Sequence, residues 1–178
     1  TAKDPAVLSL ARNVVTWMQP LKNPALDPKL QEAMAVFAAL RAFGIRYQAD
    51  PTTPHATASE DGGAVDFLQF PRQTLTYSSG DCDDLTALYI ALLESVGVDT
   101  GFITVPGHIY AAFAVETSPD EARREFVNPD DLIYAHGRAW VPIETTMVQS
   151  DFDQAWIDGA RTWRERSAAD EADLFITS

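Results

Sequence analysis

Cys82 is the only thiol in the chain, within Ser79-Gly80-Asp81-Cys82-Asp83-Asp84. An apolar series at helical spacing follows directly: Leu85, Leu88, Tyr89, Leu92 and Val96. That spacing predicts a helix with Cys82 at or just before its first turn. Unsatisfied backbone N–H groups and the positive end of the helix dipole lower a thiol pKa there. The same N–H groups can bind the oxyanion of a tetrahedral intermediate. Asp81, Asp83 and Asp84 work the other way, because neighbouring carboxylates hold a thiol protonated. Some can act as helix caps, but a thiolate here still needs an imidazolium beside it. Position alone leaves two readings of Cys82, a nucleophile or a buried structural cysteine.

Three histidines are available as a base. His108 opens an apolar strand directly after Gly107, where it either projects into a cleft or sits on an edge. His136 lies in a polar turn beside Gly137, and His55 in a stretch rich in Pro and Thr. Both read as surface residues. Glu144 closes the run Trp140-Val141-Pro142-Ile143-Glu144. A carboxylate one strand from an imidazole can fix its tautomer and orientation, or it is a solvated strand-end charge. A P-loop, a GxGxxG turn, a GxSxG elbow and an HExxH helix are all missing from the sequence. A single cysteine excludes an intrachain disulfide and a multi-cysteine metal site. What survives is a cysteine nucleophile with a histidine base.

The elements that must position these residues read as follows. Val7, Leu10, Ala11, Val14 and Met18 form a first helical stripe, ended at Pro20. Asp27-Pro28 looks like an N-cap and first-turn proline. It leads into Leu30, Met34, Phe37, Leu40 and Phe43, with Gly44 beyond. Ile45 to Gln48 suits a short strand, Asp50 to Gly63 an exposed loop, and Val65 to Thr76 a mostly irregular stretch broken by Pro71. Beyond the Cys82 helix, strands are expected over 100–105 and 108–115, with Pro106-Gly107 as the turn. A polar loop with a short helical piece then covers 116–129. Further strands cover 132–134 and 139–144, and a helix over 151–166 carries Phe152, Trp156, Ala160 and Trp163 on one side. That aromatic side packs on the core or docks a neighbouring domain of a longer chain. The acidic, then apolar, run 168–178 has no assigned element. Helices first and antiparallel strands later is the α+β pattern.

The chain has 178 residues, enough for one domain with a sizeable core. Its net charge of −13 excludes a broad basic footprint for nucleic acid or an anionic membrane surface. No apolar run is long enough to span a bilayer. The chain opens at Thr1 and not at methionine, as an exported, periplasmic bacterial protein or a piece of a longer chain would, and the compartment stays open.

Taken together, three segments resemble the transglutaminase-like superfamily. They are Gly80-Asp81-Cys82-Asp83-Asp84-Leu85 with its helix to Gly97, Val105-Pro106-Gly107-His108, and Trp140 to Thr146. The resemblance covers about Tyr47 to Thr146. It implies a papain-like α+β domain spanning 1–178, with a helical part at 1–46, a catalytic core at 47–146 and a C-terminal helix and tail at 147–178. It also implies a triad of Cys82, His108 and Glu144, where the family more often has Asp in third place. Tyr110 stands for the aromatic that usually follows the histidine. Gln69 is a candidate oxyanion donor or a plain loop residue, and Asp84 a candidate support at the helix start. The implied chemistry is thiol-dependent acyl transfer on protein or peptide amides, with hydrolysis favoured over cross-linking. A second reading is a peptide-binding module without turnover. No cofactor is expected. A Ca²⁺ site on Asp81, Asp83 and Asp84 is the less favoured use of those carboxylates.

Overall fold

The computed structural model describes residues 1–49 and 68–177. The expected loop at 50–63 and His55 therefore lie outside the described residues. Helix α1 (Pro5–Met18) starts on an Asp4 cap and buries Val7, Ala11, Val14 and Met18 of the predicted stripe, with Leu10 half-buried beside them. Helix α2 (Pro28–Ala42) starts where Asp27 Oδ1 accepts the N–H groups of Lys29 and Leu30. It buries Leu30, Ala33, Val36, Phe37 and Leu40. Phe43 lies past its last turn and is exposed, so it is not part of that stripe.

The expectation of irregular chain up to Thr76 needs correction. Residues Pro71–Tyr77 form helix α3. Pro71 does not break structure there. It occupies the first helical turn, where its missing N–H costs nothing. The Gln73 side chain accepts the Phe70 N–H at 2.8 Å and closes the entry. Before and after α3, β1 (Arg46–Tyr47) and β2 (Ser79–Gly80) pair in parallel, with Tyr47 opposite Gly80.

Helix α4 (Cys82–Ser95) is the buried centre of the molecule, with ten of its residues out of solvent. A helix apolar on nearly every side must be covered on nearly every side. The cover comes from α1, α2 and α3, and from one face of a sheet. That sheet holds β3 (Thr100–Val105), β4 (His108–Ala114), β5 (Ile133–Ala135), β6 (Arg138–Ile143) and β7 (Asp173–Ile176). Its order is β5-β6-β4-β3-β7, antiparallel throughout. Ala111, Phe113, Val141 and Ile143 join the core around α4. Tyr110, Ala112, Ala114 and Trp140 point to the other face and form a second cluster with Trp163 and Leu174. This is strand alternation with both faces covered.

Three elements complete the chain. The polar stretch after β4 contains α5 (Pro119–Glu125), the short helical piece expected there. Helix α6 (Phe152–Ala168) sends Phe152 and Ala155 into the main core and Trp163 into the second cluster. The unassigned tail is β7, an edge strand on β3, with Leu174 packed inward. The architecture is thus α+β, with six helices and one five-stranded antiparallel sheet among the described residues.

Helix α6 sits against the end of β6 through a glycine. A Cβ at Gly159 would lie 2.9 Å from the Pro142 carbonyl oxygen and 3.2 Å from the Glu144 nitrogen. Both are backbone atoms and cannot rotate away. Gly159→Ala is therefore expected to cost about 1–3 kcal/mol. For a chain of this length that lowers the melting temperature by roughly 3–10 °C in a calorimetric scan. An unchanged melting temperature would show that α6 can move without loss.

Candidate active site

Gly80 makes the start of α4 possible. A Cβ at Gly80 would sit 2.5 Å from Asp84 Cβ, so only glycine lets the chain pass. Asp81 is the N-cap, and its Oδ1 accepts the N–H groups of Asp83 and Asp84, each at 3.1 Å. Asp84 returns the contact by accepting the Asp81 N–H at 3.3 Å. A helix leaves its first N–H groups unsatisfied. The capping pair takes those of Asp81, Asp83 and Asp84. The capping pair does not use the Cys82 N–H, which lies next to its own sulfur.

His108 and Glu144 meet across two neighbouring strands. The β4–β6 register pairs Ala111 with Ile143, and continuing it one place sets Glu144 opposite Tyr110. His108 is two residues from Tyr110, on the same face, and its ring stacks on the Tyr110 ring at 5.8 Å. Glu144 thus has His108 as its diagonal neighbour. His108 Nε2 and Glu144 Oε2 are 2.7 Å apart. Glu144 Oε1 accepts from the Thr146 N–H at 3.1 Å and the Thr146 hydroxyl at 2.7 Å. Burial alone would raise the Glu144 pKa. The His108 hydrogen bond and charge and the two Thr146 donors outweigh it and hold the carboxyl below its ordinary value of 4.5. With an ionised Glu144 on Nε2, that nitrogen carries the proton and Nδ1 is left as the basic atom.

Cys82 is 7% exposed and lies against the start of β4, where the Ile109 backbone N–H favours its thiolate. The opposing influences are larger. Burial first, then the charges of Asp83 and Asp81, then an S–H···Oδ1 bond to Asp83 at 3.4 Å, push the thiol up to about 12. The sulfur therefore rests as a neutral thiol. Tyr47 faces the same space. Burial first, and then the carboxylates of Asp81 and Glu144 among its neighbours, raise its phenol.

The remaining predicted residues fall as follows. Gln69 is joined to Asp84, not turned to an open oxyanion position. Its backbone N–H donates to Asp84 Oδ1 at 2.7 Å and its side-chain amide to Oδ2 at 2.5 Å. Asp84 is 3% exposed and clamps Gln69 to the start of α4, so both residues act as supports in this geometry. His136 is exposed in the β5–β6 turn at φ 52°, as its polar surroundings suggested. Among the described residues no group of three His, Cys, Asp or Glu side chains is disposed to hold a metal ion. None of the described helices is long and apolar enough to cross a membrane.

Sequence reasoning missed Tyr47, Thr86, Thr145 and Thr146. Thr86 carried a readable signal, being four residues after Cys82 and so on the same helix face. The threonines after Glu144 had none beyond proximity. Comparison with family models, with curated proteins and with solved structures finds no match to this chain.

Two outcomes follow from the charges. Asp83→Asn removes the nearest charge opposing the thiolate and lowers the Cys82 pKa. Each unit of lowering means tenfold more thiolate, partly offset by weaker nucleophilicity. Iodoacetamide should alkylate that variant about threefold faster at pH 8. An unchanged rate would mean the Asp83 charge does not act on the sulfur. For Glu144 the folded-state pKa is the lower one, so its contribution to stability is present above 4.5 and lost as pH falls through the folded value. The stability gap between wild type and Glu144→Gln in urea melts should therefore shrink on acidification below about pH 4.5. A gap that does not depend on pH would refute the assignment.

Proposed function

We propose that this chain is a thiol-dependent acyl-transfer enzyme of the transglutaminase-like kind, acting on peptide or protein amides. The observation that carries the reading is the 2.7 Å contact between His108 Nε2 and Glu144 Oε2, at the start of β4 and just past the end of β6, with α4 packed on β4 and on the turn that follows Glu144. On this reading the papain-like arrangement, a helix-borne thiol against a sheet-borne imidazole, is the catalytic frame.

In the first step His108 Nδ1 removes the Cys82 proton as the sulfur attacks the amide carbonyl. A thiol near 12 does not supply a standing thiolate, so proton removal and attack are coupled. The imidazolium formed is stabilised by Glu144, already ionised and held by Thr146. The Cys82 N–H receives the oxyanion. His108 then gives the proton to the leaving nitrogen, and ammonia or an amine departs from the thioester. Water, activated by the same imidazole, releases the acid and restores the thiol. An amine in place of water would give a cross-link. Hydrolysis is the favoured outcome, with a protein or peptide as substrate.

One observation favours a second reading, a binding module without turnover. The buried thiol already has its hydrogen bond with Asp83. The pH profile of Cys82 alkylation separates the two. For an enzyme, wild type shows an inflection well below the thiol's own pKa, and His108→Ala abolishes it. Cys82→Ala then abolishes release of amine from peptide amides, a loss of at least about 10³-fold. Matching profiles in wild type and His108→Ala, with no amine released, would leave the binding module. Isopeptide products without cleaved fragments would overturn the preference for hydrolysis alone.

A further inference from the structure

Behind the candidate triad lies a pair of hydroxyls for which the mechanism above has no use. Thr86 is fully buried and Thr145 is 2% exposed. Their Oγ1 atoms are 2.7 Å apart, and Thr86 Oγ1 also lies 3.5 Å from the Ile109 carbonyl oxygen. One proton arrangement satisfies all three groups. Thr145 donates to Thr86, and Thr86 donates to Ile109.

The three residues so joined each sit next to a member of the triad. Thr86 is one helical turn beyond Cys82 on the same face. Ile109 follows His108, and Thr145 follows Glu144. Ile109 is held from both sides, since its N–H lies against the Cys82 sulfur and its carbonyl oxygen faces Thr86. A threonine in a helix can bond back to the carbonyl three or four residues earlier. Thr16 and Thr76 do so, at 2.8 Å each. Thr86 instead reaches across to two other elements.

We infer that the Thr86–Thr145 hydroxyl pair is a positioning device that fixes the distance between Cys82 and the His108–Glu144 pair. The inference rests on the proposed reading of that triad. The device is directional. Packing alone would let α4 slide along β4 by a fraction of an ångström, whereas a hydrogen bond between two buried hydroxyls has one optimum. Breaking it leaves an unsatisfied hydroxyl in the core, so the relaxed position is a different one. A displacement of about 1 Å in such a site is worth up to about 100-fold in rate.

The test needs no substrate. Alkylation of Cys82 by iodoacetamide is followed against pH in wild type, His108→Ala, Thr86→Val and Thr86→Ser. Thr86→Val keeps the shape and removes the hydroxyl, and Thr86→Ser keeps the hydroxyl. The expected result is a His108-dependent inflection in wild type and Thr86→Ser. In Thr86→Val that inflection should be lost and the rate about 10- to 100-fold lower. A wild-type profile in Thr86→Val overturns this inference and leaves the triad standing. A loss shared by Thr86→Val and Thr86→Ser also overturns it, because packing and not the hydroxyl would be responsible. Identical profiles in wild type and His108→Ala overturn the triad itself and the inference with it. Should Thr86→Val fail to fold by circular dichroism, Thr145→Val breaks the same bond from the other side and is judged by the same criterion.

Discussion

A helix that begins inside a protein must find acceptors for its first N–H groups, and that requirement governs this site. The start of α4 is buried, with Gly80, Asp81, Cys82 and Asp84 all out of solvent. Water cannot serve those N–H groups, so carboxylates do. Asp81 and Asp84 cap each other's backbone, and Gly80 is bare because Asp84 occupies the space of its side chain. The same carboxylates set the state of the sulfur. Burial and two aspartate charges overcome the helix dipole and the Ile109 N–H, and the thiol stays protonated. The acidic surroundings that make the helix start stable are the ones that make a free thiolate costly.

The sheet answers that constraint at one end of its inner strands β4 and β6. Register places Glu144 opposite Tyr110, two residues along from His108. A diagonal neighbour is farther away than a direct one, and the additional methylene of glutamate over aspartate covers the difference. A glutamate at this position thus has a geometric reason in this chain. Glu144 also begins a short 3₁₀ turn (Thr145–Met147), whose Thr146 N–H and hydroxyl occupy its second oxygen. One carboxylate therefore caps a turn and holds an imidazole, and each bond restricts the rotamer that the other needs. Tyr110 beneath the His108 ring leaves that ring little freedom to tilt.

Much of this was legible in the sequence, for reasons that differ by residue. The Cys82 helix start, the His108 strand start and the Glu144 strand end were each marked by local signals. These were a cap with an apolar stripe, a Pro-Gly turn, and an alternating strand with a terminal carboxylate. The meeting of His108 and Glu144 depends on register, which no local signal carries. Helix α3 is hard to read because proline so often breaks a helix, although the first turn is where it fits. Strand β7 was missed because its partner, β3, lies some seventy residues earlier, and four residues are too few for alternation to show. Gln69 stands out for its amide, but Asp84 claims that amide. A partner fifteen residues away is invisible to pattern.

The threonines show how far such a reading can go. Thr86 and Thr145 look like ordinary core positions, one in an apolar helix and one after a strand. Together they bridge the element that carries the sulfur and those that carry the imidazole and the carboxylate. A neutral thiol makes that bridge more demanding than an ion pair would be. An ion pair draws its partners together by charge over several ångströms. A neutral S–H has only a hydrogen bond's short and angular attraction for its base. On the proposed reading, proton transfer from Cys82 depends on geometry supplied in advance, and the hydroxyl pair is the part of the core that supplies it.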